Sequence, residues 1–106
     1  NQQMKQLIDK LSKCNRIRNI GWINSTEAYD YFLASDLAVF PGTHSVLWEQ
    51  SVGCGIPGVF KFWQGMDHIN LGGNCRFLYK DSVDEIKSVL KEIIYDKSEY
   101  QKLLVL

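Results

Sequence analysis

The chain of 106 residues has little of several things, and each scarcity excludes a class of protein. An excess of one charge is missing: Lys plus Arg and Asp plus Glu number 12 each. A neutral chain exerts no general pull on nucleic acid or anionic lipid, so nucleic acid is not an expected partner. Cysteine is scarce and odd in number, with Cys14, Cys54 and Cys75 far apart. No Cys-x-x-Cys or Cys/His spacing reads as a zinc site, and free thiols point to a reducing cytoplasm. Apolar runs fall far below the roughly 20 residues needed to span a bilayer, and no signal-peptide pattern is present. Proline is confined to Pro41 and Pro57. There is no internal repeat, low-complexity tract or linker.

What is present suits one small globular domain over residues 1–106. Apolar residues make up 45% and charged residues 23%, which supports a core and excludes a disordered tail. The first residue is not Met, and the pattern is helical from the outset. We therefore expect a piece of a longer protein.

Met4, Leu7, Ile8 and Leu11 recur at helical spacing and predict a one-sided helix ending near Cys14. Residues 16–23 are β-prone and predict a strand. Asn24 with Glu27 makes a capping-box pattern for a second helix, with Tyr29, Phe32 and Leu33 on its inner face. Residues 37–40 predict a strand stopped by Pro41-Gly42. Ser45 can cap a third helix that ends at Gly53 and Gly55. Residues 56–62 predict a strand, 64–74 a glycine-bearing loop and 75–79 another strand. Ser82 with Glu85 repeats the capping box before a long helix marked by Val83, Ile86, Val89, Leu90, Ile93 and Ile94. Asp96 and Glu99 start a short last helix. Apolar strands alternating with helices predict a Rossmann-like α/β fold, with a parallel sheet of about four strands covered on both faces.

In such sheets ligands bind at the carboxyl ends of the strands. There the sequence gathers Ile23, Asn24 and Ser25, then Pro41 to Ser45, then Phe62 to Gly65, then Lys80 and Asp81. Gly42-Thr43-His44-Ser45 runs from a strand end into a helix start, where free N–H groups and the helix dipole favour an anion such as a diphosphate. It is neither GxGxxG nor a P-loop, and a plain strand-to-helix connection explains it as well. Glu49 lies four residues beyond Ser45, about one turn into an otherwise apolar helix. A carboxylate there can accept bonds from two vicinal hydroxyls, or can simply sit on a solvated edge.

Glu49, five residues, Gly55-Ile56-Pro57 and an apolar strand resemble the E-x5-G-x-P segment of GT-B glycosyltransferases. The stretch GWINSTEAYDYFLASDLAVFPG is similar to the block upstream of it, with Ala34, Asp36 and Pro41 in the family's positions. The resemblance covers roughly residues 16–96. It corresponds to the later part of the C-terminal donor-binding domain, without that domain's first strand or the N-terminal domain.

The resemblance implies a nucleotide-diphosphate sugar as ligand, uridine the base, for transfer to an acceptor held by an N-terminal domain or partner subunit. It implies that Glu49 binds ribose hydroxyls and that Thr43, His44, Ser45 and Val46 cradle the diphosphate. Ile23 and the loop after it lie against the base. Gln64, Gly65, Met66, Asp67 and His68 lie at the donor sugar. It implies no cofactor and no metal, and the sequence has no DxD-type carboxylate pair. Work at the inner face of the membrane, through the missing half, and pairing of the fragment with its own copy are further expectations.

Many retaining members carry two glutamates eight residues apart. Here Pro41 stands at the earlier position, and the short loop resembles that of the lipid II N-acetylglucosaminyltransferase group. A nucleotide-sugar 2-epimerase shares this domain but usually has Gly-Gly where this chain has Gly42-Thr43. A non-catalytic α/β interaction domain is the alternative from another class. His44 either touches a phosphate or is solvated. His68 beside Asp67 looks like an orienting pair, though the base in this fold usually comes from the other domain. Phe62 and Trp63 read as core or interface aromatics, and Cys54 as a small buried thiol.

Overall fold

The computed structural model describes residues 1–104. Element order is α1 (Gln2–Ser12), α2 (Ser25–Leu33), β1 (Ala38–Phe40), α3 (Val46–Gly53), β2 (Gly58–Lys61), β3 (Cys75–Leu78), α4 (Val83–Tyr95) and α5 (Lys97–Leu103). The strands form a parallel sheet in the order β1-β2-β3. Ala38 pairs with Gly58 and Gly58 with Cys75, so all three carboxyl ends open on one rim.

Alternation along the central strand sends side chains to two cores. Phe60 points to one face with Trp48, Val52, Ile69 and Cys75. Val59 points to the other, with Leu78, Val89, Ile93 and Leu103 from the side of α4 and α5. The fold is thus a helix–sheet–helix sandwich, as the apolar strands require.

The helix starts follow their caps. Asn24 accepts the Glu27 N–H at 2.8 Å, Ser45 the Leu47 N–H at 3.2 Å and Ser82 the Glu85 N–H at 3.1 Å. Glu85 does not return to Ser82. Its carboxylate accepts the Tyr79 and Lys80 N–H groups at 2.9 and 2.8 Å, tying α4 to the end of β3. Asp96 caps α5 through the Ser98 N–H.

Three expectations are corrected. Residues 16–23 form no strand, so the sheet has three strands among the described residues rather than about four. Backbone there has no neighbouring strand to bond, and Ile17, Ile20 and Trp22 stand exposed. In α2 the buried face is set by Ala28, with Phe32 half-buried, whereas Tyr29 and Leu33 are exposed. In α4 Val83 and Ile94 are exposed, because the stripe that meets the sheet is Val89 and Ile93. The helix α1 has the predicted apolar stripe, yet none of its residues is buried. No helix is long and apolar enough to cross a membrane among the described residues.

Candidate functional site

The loop from β1 to α3 and the loop after β2 meet on one carboxylate. Glu49 lies in the first turn of α3, next to Trp48, which is fully buried and fixes the helix against the sheet. His44, in the turn before α3, places Nε2 at 2.5 Å from Glu49 Oε1. Across the rim, His68 places Nε2 at 2.8 Å from the same oxygen. The other oxygen, Oε2, is shielded from solvent and has no hydrogen-bond partner.

Each histidine is held by its own support. The His44 ring stands edge-on to Trp48 with centroids 5.1 Å apart. His68 precedes Ile69, whose side chain is buried in the core with Trp48 and Phe60. Buried Asn74 closes that loop, accepting the Leu71 N–H at 2.6 Å and donating to the Ile69 carbonyl at 3.1 Å. Trp63 Nε1 donates to the Gly42 carbonyl at 3.1 Å and pins the two loops to each other.

Partial burial alone would raise the Glu49 carboxyl. Hydrogen bonds from His44 and His68 outweigh it and hold the group below its ordinary value. The carboxylate is therefore ionised at neutral pH. Burial pushes the Cys75 thiol up to about 11, which leaves it inert beneath the sheet.

Of the nucleotide-site residues expected from sequence, Thr43, His44 and Val46 are exposed at the start of α3 and Ser45 caps it. Ile23 is half-buried and lines an open, mostly apolar groove of about 570 Å³ with Phe40, Val46, Leu47 and Gln50. Of the five residues expected at the donor sugar, His68 alone bonds to Glu49. Gln64, Gly65 and Met66 make the turn after Trp63, closed by the Met66 N–H to the Trp63 carbonyl at 2.9 Å. The Asp67 carbonyl accepts the Asn70 N–H at 3.0 Å, and His68 takes Glu49 rather than Asp67 as its partner.

Sequence reasoning missed three contributors. Asn74 has no chemistry readable from spacing, yet it shapes the loop that carries His68. Trp63 reads as a core or interface aromatic, and its indole N–H also ties two loops. Lys61 ends β2 at 9% exposure, paired with Asp81 and lying 5.5 Å from the Trp63 ring centroid. A lysine inside an apolar strand run was the one available signal. Cys54 is half-buried rather than buried.

No protein-family model matches the chain, and comparisons with curated proteins and with solved structures give no match.

Proposed function

We propose that this chain is the later part of the C-terminal donor-binding domain of a GT-B glycosyltransferase. It binds a nucleotide-diphosphate sugar, a UDP-sugar by preference, in the reducing cytoplasm. The acceptor is held by an N-terminal domain or partner subunit, which also brings the enzyme to the inner face of the membrane. The observation that carries the proposal is the convergence on Glu49. The two loops that the resemblance assigns to diphosphate and donor sugar reach the same carboxylate, one turn into the helix that starts at the rim.

The topology supports it. In the doubly wound order 3-2-1-4-5-6, β1, β2 and β3 take the last three places. The apolar groove beside the start of α3 takes the base, and Gln50, whose Oε1 is buried without a partner, offers an acceptor in its wall.

The α3 N–H groups stabilise the diphosphate as donor and as leaving group, the main catalytic contribution of this half. The test is a titration followed by amide resonances. Uridine diphosphate should shift Thr43 to Val46 more than uridine does. Shifts confined to α1 would overturn the site.

A further inference from the structure

His44 Nε2, Glu49 Oε1 and His68 Nε2 converge within 4.8 Å of one another. They come from three places, namely the turn before α3, α3 itself and the loop after β2; the His44 ring stands edge-on to Trp48, and Asn74 closes the loop that carries His68. Two imidazole Nε2 atoms meet one carboxylate oxygen, and the second oxygen has no hydrogen-bond partner, so three metal-ligating side chains share one small space with an acceptor to spare. We infer that these three side chains form a binding site for a divalent transition-metal ion, zinc by preference.

The donor atoms suit that ion. Imidazole nitrogen and carboxylate oxygen are borderline ligands that favour zinc over magnesium, which prefers oxygen alone. A tetrahedral zinc with bonds near 2.0–2.1 Å separates its ligand atoms by about 3.3 Å. The contacts at 2.5 and 2.8 Å need to lengthen by less than about 1 Å to reach that spacing, and both imidazoles are partly exposed, which leaves room for the rings to turn. Each imidazole offers its Nε2 lone pair to a metal when the ring proton sits on Nδ1. Three protein ligands on one side leave a coordination position open toward the rim, the arrangement of sites that bind an exchangeable water or ligand oxygen.

The inference uses the side chains alone and does not depend on the donor proposal. It adds one consequence: zinc and a ribose compete for Glu49. Exposed Cys14 is a rival thiol ligand, so the experiment uses the full chain in a Cys14→Ser background. Zinc is titrated by calorimetry without nucleotide, and cobalt by its visible absorption. One equivalent of zinc should bind, far more tightly than magnesium. His44→Ala, His68→Ala and Glu49→Gln should each weaken it by at least about tenfold, since removing even an outer partner of a ligand costs about 10–100-fold. His68→Cys should retain cobalt and add a thiolate charge-transfer band, which a change in folding could not produce. Zinc affinity that survives Glu49→Gln and His68→Ala, disappears with Cys14→Ser, or equals that for magnesium overturns the site. Uridine diphosphate titrated in the presence of chelator reads the donor proposal separately.

Discussion

Glu49 follows the fully buried Trp48 in a helix start that is otherwise apolar, and two imidazoles from different loops meet one of its carboxylate oxygens. If it anchors ribose, Glu49→Ala should weaken nucleoside diphosphate by roughly 1.5–3 kcal/mol, the scale of hydrogen bonds to a charged group. Calorimetry with ribose and 2′,3′-dideoxy nucleotides in chelator decides it. Equal affinity of the parent chain for both sets the ribose role aside. Position 49 was legible in the sequence because a lone carboxylate in an apolar helix stands out. Its link to His68 was not, since the pair is 19 residues apart and meets only because buried Ile69 and Asn74 fold the loop back. Gly58 shows the same limit. It falls within the strand expected over residues 56–62, and nothing in the sequence shows that a Cβ there would overlap the Phe60 ring. That ring is fully buried and cannot yield. Gly58→Ala should therefore cost about 1–3 kcal/mol in urea unfolding, the range for an overpacked core.

Among the elements, the helices were the most legible, because Asn24, Ser45, Ser82 and Asp96 cap the helices they were expected to start. Periodicity was less informative about which residues each helix buries. Tyr29, Leu33 and Ile94 carry the apolar pattern and remain exposed, since the pattern marks a stripe but not the surface that covers it. Residues 16–23 failed for a related reason. β-propensity describes a chain that would fit a sheet, whereas a strand also needs a neighbour to bond. The junction of β3 and α4 gives a pH test. The Tyr79 and Lys80 N–H groups bond the Glu85 carboxylate and outweigh desolvation, lowering its titration point. A carboxyl lowered on folding stabilises above its unfolded value, near about 4.3, and loses that contribution as pH falls through its folded value. The melting temperature of the parent should thus drop further between about pH 5 and pH 3 than that of Glu85→Gln. Parallel curves for the two proteins would remove Glu85 from the acid response.

On the scale of the whole molecule, the sheet has its rim and both helix layers, but β1 is an edge strand and α1 lies with Met4, Leu7, Ile8 and Leu11 exposed. Under the donor proposal, a second Rossmann-like domain closes the cleft over the rim and supplies the acceptor site and the base. On that proposal this chain holds one reactant. Holding two in register is worth roughly 7–11 kcal/mol of barrier, and none of that arises when the acceptor diffuses freely. The groove beside Ile23 is open on one side, so donor contacts there compete with water. The chain by itself should bind nucleoside diphosphate weakly and transfer no sugar. Unpaired N–H and C=O groups along β1 should also draw a second copy at high concentration, as open sheet edges do. Light scattering across a dilution series reads that association. The transfer assay uses the purified chain with several nucleotide sugars, with and without the completing domain. Turnover that requires acceptor but not the added domain would mean that both reactants are held by residues 1–106, and the division of labour proposed for Glu49 and the α3 start would have to be abandoned.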